Sequence, residues 1–171
     1  MSYSPDQSKN APDISMIVEA VIKMLEKREG AVYKTNVTTL GEGLSPSIFT
    51  GYSVLSITLA DLSFLCKLAS SDDSNPAVKT VMDAVSYGMT LQISIHENLL
   101  ARIPITSLSG LPIAYFDQLG QEINVTTSKV IDYSLAVVLK GRWLVAPSRS
   151  LITALATEML NQRQIKLIKA E

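Results

Sequence analysis

Residues 142–171 constrain the fold more than any other part of the chain, because strand, helix and strand patterns follow one another there. Trp143 to Ala146 and Ile165 to Ile168 are short apolar runs typical of buried strands. Three apolar residues recur at helical spacing between them: Leu151, Leu155 and Met159. Ser148 or Ser150 is the expected N-cap of that helix. The pattern predicts a βαβ unit, whose two strands run parallel with a right-handed crossover.

Strand and helix patterns also alternate upstream of this unit. Residues 52–59 are strand-like, Asp61 suits a helix N-cap, and Pro76 suits the first turn of a second helix. The turn after Phe116 predicts a hairpin between residues 113–116 and 122–125. We therefore expect an α/β fold of three layers, with a mainly parallel or mixed sheet and helices on both faces, preceded by an N-terminal amphipathic helix.

Other segments give weaker signals. Tyr33 to Leu40 and Ile48 to Thr50 are two possible short strands among several glycines. Lys129 to Ile131 suggests a strand followed by a short helix. Cys66 lies in an apolar stretch and is interpreted as a small buried hydrophobic residue.

The domain organisation follows from composition. Residues 1–12 are polar and lack apolar periodicity, which predicts a disordered tail. Residues 13–30 form the predicted amphipathic helix, with Asp13 as a plausible N-cap and Gly30 as its C-terminal stop. Residues 31–171 are expected to be a single α/β domain.

The amphipathic helix carries the candidate partner-binding residues. Six apolar side chains repeat every three or four positions: Ile14, Ile17, Val18, Val21, Met24 and Leu25. A helix of this length is marginal alone in water, so the stripe has to pack against something. The sequence leaves open whether it packs on its own domain or on another protein.

Charge and hydropathy exclude several function classes. Lys and Arg total 15 against 16 for Asp and Glu, so no net field favours nucleic acid or an anionic membrane surface. No apolar run reaches the roughly 18 residues of a membrane span. We therefore expect a cytoplasmic protein without nucleic-acid or membrane partners.

Catalytic and ligand motifs give no firm site. His96 is the one histidine and follows a strand pattern, where active-site residues of α/β sheets are found, yet no nucleophile motif accompanies it. A structural role is favoured for His96. The Gly41 to Gly43 loop lacks a complete phosphate-binding pattern. We expect no catalytic residue, no cofactor and no metal site, although Ala146 to Ser150 could hold a phosphate if it does not simply cap a helix.

Two long segments resemble a known family. LQISIHENLLARIPITSLSGLPIAYFDQLGQEI and KVIDYSLAVVLKGRWLVAPSRSLITALATEMLNQRQIKLIKAE are similar to the PduM family, small proteins of the propanediol-utilisation bacterial microcompartment. The helix at Asp13 to Arg28 is of the same kind as that family's N-terminal helix. The most specific matches fall near the end of the sequence: Thr153, Ala154, Ala156, Ile165, Leu167, Ile168 and Glu171.

The resemblance implies a non-catalytic structural or assembly component that contacts shell or cargo proteins of a microcompartment. It supplies no catalytic residue to transfer to this sequence. The alternative from another class is a flavin- or nucleotide-binding α/β accessory enzyme, since such binding can rely on backbone amides and leave few sequence marks.

Overall fold

A mostly parallel sheet of seven strands forms the centre of the protein in the computed structural model, which describes residues 14–170. In chain order, the strands are β1 (Val32–Asn36), β2 (Val54–Thr58), β3 (Thr90–Ser94), β4 (Ile113–Phe116), β5 (Glu122–Val125), β6 (Val130–Ile131), β7 (Trp143–Pro147), β8 (Leu151–Ile152) and β9 (Lys166–Ala170). The main sheet has the order β1-β2-β3-β4-β5-β7-β9, and β6 and β8 form a small parallel pair.

Helices follow most of the strands. They are α1 (Ile14–Arg28), α2 (Val37–Glu42), α3 (Pro46–Gly51), α4 (Leu62–Ala69), α5 (Pro76–Ser86), α6 (Ile105–Leu108), α7 (Tyr133–Val138) and α8 (Ala154–Gln162), together with a 3₁₀ helix at Glu97–Arg102. The predicted α/β class with a mainly parallel, mixed sheet is confirmed. In the part that the structure describes, no helix is both long and apolar enough to cross a membrane.

The direction of the sheet reverses once, at the hairpin between β4 and β5. Strands β1 to β4 are mutually parallel, β5 is antiparallel to β4, and β7 and β9 are parallel to β5. Asp117 fixes the turn, because its Oδ1 accepts hydrogen bonds from the backbone N–H groups of Leu119 and Gln121, both at 2.8 Å. Its Oδ2 accepts a hydrogen bond from Trp143 Nε1 at 3.4 Å.

The reversal determines which face each helix covers. Crossovers between parallel strands are right-handed. The chain moves across the sheet in one direction throughout, but the strands before and after the hairpin point in opposite directions. The helices of the two halves therefore lie on opposite faces of the sheet. The larger core lies under α2 to α6 and includes Trp143 and Val145, whereas Leu144 and Ala146 of the same strand join the smaller core under α7 and α8. Helices therefore lie on both faces.

Several local predictions were wrong. Ile48 to Thr50 belongs to α3, where Pro46 begins the helix, and Leu40 lies in α2, which Asn36 caps. Thr153 is the N-cap of α8, because Leu151–Ile152 forms a short strand between the two serines and the helix.

Cys66 is exposed, since the buried stripe of α4 passes through Phe64, Leu65 and Leu68. The predicted tail at residues 1–12 and the N-cap at Asp13 lie outside the described residues.

Candidate partner-binding surface

Helix α1 exposes its apolar stripe. None of its residues is buried. The six side chains expected to bind a partner are between 47% and 77% exposed: Ile14, Ile17, Val18, Val21, Met24 and Leu25. A 15-residue helix with such a stripe does not stay folded in water by propensity alone, so contacts at one end have to hold it.

Arg28 anchors the C-terminal end of α1 to the domain. Its Nε donates a hydrogen bond to the backbone carbonyl of Tyr52 at 2.9 Å, and its Nη2 donates one to the carbonyl of Tyr87 at 2.6 Å. Both acceptors are backbone groups distant in the sequence. Sequence reasoning missed this anchor, because a backbone carbonyl can belong to any residue type.

The last two turns of α1 line a small groove on the domain. Val21, Met24 and Leu25 face a space of about 210 Å³ whose other walls include Phe49 and Tyr87. The two rings stack with their centroids 5.2 Å apart and their planes 12° apart, and Tyr87 remains 54% exposed. The inner half of the stripe thus contacts its own domain without being buried by it.

The outer half of the stripe extends beyond this groove. Ile14, Ile17 and Val18 do not line it, and all three stay largely exposed. The opposite side of the helix is mainly polar, apart from Met16, and carries an exposed ion pair between Lys23 and Glu19 at 2.9 Å. α1 is therefore anchored at its base and presents an apolar outer half to solvent.

His96 has a structural contact at the position where a catalytic residue would be expected. It is the N-cap of the 3₁₀ helix, and its Nδ1 accepts a hydrogen bond from the backbone N–H of Asn98 at 3.3 Å. The side chain is exposed and makes no described contact with a carboxylate or nucleophile. This geometry caps a helix and gives no arrangement for acid–base chemistry.

The loop from Ala146 to Ser150 uses several of its polar groups in internal hydrogen bonds. Ser148 N–H donates to the carbonyl of Ala170 at 2.7 Å, and Ser150 Oγ donates to the carbonyl of Ser128 at 2.7 Å. Lys169 Nζ donates to the carbonyl of Ser150. Ser148 and Arg149 are exposed, whereas Ser150 is buried and its hydroxyl is bonded within the fold, so that hydroxyl is not available to a phosphate.

Three aspartates accept hydrogen bonds from nearby groups in turns and helix starts. Asp117 closes the hairpin turn, Asp132 Oδ1 accepts from Leu135 N–H at the start of α7, and Asp72 accepts from Ser74. Residues 14–170 contain no group of three or more His, Cys, Asp or Glu side chains that could hold a metal ion.

Comparison with known proteins identifies relatives along nearly the whole chain. Residues 16–166 match a family model described as "Putative propanediol utilisation". The chain is 31% identical over 163 residues to the bacterial microcompartment assembly protein PduM of Salmonella typhimurium strain LT2, covering 95% of this chain and 99% of the relative. It is 33% identical over 158 residues to the protein of the same name from Citrobacter freundii, covering 92% and 97%. No solved structure matches.

Proposed function

Because this chain belongs to the PduM family of propanediol-utilisation proteins, we propose that it is a non-catalytic assembly component of a bacterial microcompartment in the cytoplasm. It acts through contacts with shell or cargo proteins. The outer half of α1 is the contact surface, formed by Ile14, Ile17 and Val18 and continued by Val21, Met24 and Leu25. The observation that carries this proposal is the exposed apolar stripe on a helix anchored at one end.

The size of the stripe indicates the strength of the contact. Full burial of an aliphatic side chain contributes about 1.5–3 kcal/mol, so the three outer side chains contribute at most about 4.5–9 kcal/mol. Association itself costs about 4–15 kcal/mol in lost translational and rotational freedom. Helix α1 alone therefore supports weak binding, which suits a component that assembles with many copies of its partners.

The test is a pair of matched substitutions on neighbouring residues. Ile17→Asp places a carboxylate in the apolar stripe, and Met16→Asp places the same group on the opposite side of the helix, where Met16 is 69% exposed. We expect Ile17→Asp to reduce co-purification with isolated microcompartments at least fivefold and Met16→Asp to leave it near the wild-type level.

Thermal unfolding separates a partner contact from an internal one. Neither side chain is buried, so both variants should melt within a few degrees of the wild type. Deletion of residues 1–30 is expected to leave a folded domain that no longer associates with microcompartments. Unchanged recruitment of Ile17→Asp, or a large loss of stability in that variant alone, would contradict the assignment of this surface.

The flavin- or nucleotide-binding alternative gains no support from the geometry. In its best candidate, the Ala146 to Ser150 loop, the Ser150 hydroxyl and the Ser148 and Ser150 N–H groups make internal hydrogen bonds. A thermal shift with flavin mononucleotide remains the direct check on that alternative.

A further inference from the structure

We propose that the outer edge of β9 binds an extended, acidic segment of a partner protein, which adds a strand to the sheet. This surface is separate from α1 and goes beyond the proposed function. It rests on three features of the region around β9: free backbone groups, an adjoining apolar groove, and an excess of positive charge.

The free backbone groups follow from the register of β9 on β7. Lys166 N–H donates to the carbonyl of Arg142, and Ser148 N–H donates to the carbonyl of Ala170. In a parallel ladder, alternate residues bond to the same neighbour, so the N–H and C=O groups of Leu167 and Lys169 point away from β7. These backbone groups have no described hydrogen-bond partner.

The 3₁₀ helix at Glu97–Arg102 packs near β9, but its backbone makes no hydrogen bond to the strand. The edge formed by Leu167 and Lys169 thus offers two donor and acceptor pairs to an added strand, the arrangement used in β-strand addition.

An apolar groove of about 720 Å³ adjoins this edge. Leu160 and Leu167 line it on the face covered by α8, and Trp143 and Ile168 line it on the other face. Because side chains of a strand alternate between faces, an added strand would place every second side chain beside Leu160 and Leu167. Apolar residues are expected at those positions of the partner.

The charges on β9 indicate which side chains the partner carries at its remaining positions. Strand β9 itself carries two cations, Lys166 and Lys169, and no carboxylate. Neither lysine has a described carboxylate within 4 Å. Lys166 lies over the Trp143 ring, 5.3 Å from its centroid, on the face opposite Leu167. Acidic side chains of an added strand would meet Lys166 there.

The same charges argue against a second copy of this chain as the occupant. Two β9 strands paired edge to edge would bring Lys166 and Lys169 of one copy near those of the other. Lysines on an exposed edge are a common protection against such pairing. They repel an identical strand and attract an acidic one, so charge complementarity identifies the partner as acidic.

The test uses a synthetic strand and nuclear magnetic resonance of the full chain labelled with ¹⁵N. The probe is an acetylated and amidated heptapeptide that alternates glutamate and valine, and its control alternates lysine and valine. We expect the glutamate peptide to shift the amide signals of Leu167 and Lys169 in a saturable way, with weaker binding at higher salt. The lysine peptide should produce no such shift.

Two kinds of variant distinguish backbone pairing from charge attraction. Lys169→Pro removes an outward N–H, which an edge strand tolerates, whereas Lys169→Ala removes the side chain and keeps the N–H. We expect loss of binding for Lys169→Pro and no more than a threefold loss for Lys169→Ala. Lys166→Glu, which leaves the backbone intact, should weaken the glutamate peptide at least fivefold.

The proposal is overturned if the glutamate peptide shifts no amide of β9, if both peptides bind equally, or if Lys169→Pro binds as the wild type does while remaining folded. These outcomes are independent of α1, because Ile17→Asp should bind the peptide normally. A failure here would therefore leave the assembly role of α1 untouched, and the reverse also holds.

Discussion

Gly141 lies in the turn before β7, where its backbone passes close to the carbonyl oxygen of Glu122. Its φ of +80° is in the left-handed region, and a Cβ at this position would overlap that oxygen. The neighbouring Asn124 supports the same turn, accepting from Lys140 N–H at 3.2 Å and donating to the Trp143 carbonyl at 2.9 Å. Glycine is thus required here for space as well as for conformation.

We expect Gly141→Ala to lower the free energy of unfolding by about 3 kcal/mol or more, since it adds a backbone overlap to a left-handed residue. Gly120→Ala is the matched control, because Gly120 has a φ of +76° and open space around its Cβ position. The control should cost about 1–2 kcal/mol. Urea unfolding of both variants measures the difference, and equal losses would show that the Glu122 overlap relaxes at no cost.

Single residues were predicted well where one side chain determines the local structure. Asp61 caps α4, its Oδ1 accepting from Phe64 N–H at 2.7 Å, and Gly30 ends α1 with a φ of +71°. Arg28 could not be predicted as an anchor, because its acceptors are carbonyl groups 24 and 59 residues away in the chain. Every residue has a backbone carbonyl, so a sequence does not show which carbonyl accepts a hydrogen bond.

At the scale of elements, Thr80 joins α5 to α2. Its Oγ1 donates to the carbonyl of Leu40 at 2.9 Å in a buried position, and it lies 3.0 Å from the carbonyl of Pro76 in its own helix. Removal of this hydroxyl leaves the Leu40 carbonyl buried with one partner fewer. The contact between the two helices is thus polar at one point within an apolar core.

Thr80→Val should therefore destabilise the protein by about 1–3 kcal/mol, the usual cost of depriving a buried polar group of its partner. Thr157→Val is the control, since exposed Thr157 makes only the helical bond to the carbonyl of Thr153, at 3.1 Å. That change should remain within about 0.5 kcal/mol. Thermal unfolding of the two variants tests the prediction, which fails if they melt together.

Elements were predicted best where turn residues frame an apolar run. The hairpin strands Ile113–Phe116 and Glu122–Val125 were expected at the residues where they occur, because Asp117 and Gly120 define the turn between them. Ile48 to Thr50 was misread because a run of three residues is too short to show a helical or a strand period. The helix start at Pro46 was the stronger signal there.

For the molecule as a whole, Tyr115 links stability to pH. It lies in the larger core on β4, and burial raises the pKa of its hydroxyl above the ordinary value of about 10. Below pH 10 the hydroxyl is protonated in both the folded and the unfolded chain. Above pH 10 the unfolded chain releases this proton first, so the free energy of unfolding falls as pH rises.

We expect the urea midpoint of the wild type to fall more steeply between pH 10 and 11 than that of Tyr115→Phe. The contribution of a single group is at most about 1.4 kcal/mol per pH unit. Tyr133→Phe, in which the replaced ring is 46% exposed, should keep the wild-type slope. Parallel pH curves for all three proteins would show that Tyr115 does not carry this dependence.

The order of the sheet could not be read from the sequence. Alternating strands and helices predicted parallel pairing and helices on both faces, both of which the structure has. The single reversal after Phe116 divides the helices between the two faces of the sheet. Which helix lies on which face could not be predicted, because it depends on the directions of all the strands in the sheet. The exposure of α1 likewise depends on which surfaces the finished domain leaves available, a property that no local pattern contains.

The order of the main sheet also has a consequence for how the chain folds. Each of its strands pairs with the sheet strand that precedes it in the chain, so no closure skips over another strand of that sheet, and the longest connection runs from Thr58 to Thr90. Because synthesis proceeds from the N-terminus, every new strand meets a partner that has already left the ribosome. β9 is the last described strand to join, and no later described strand covers it.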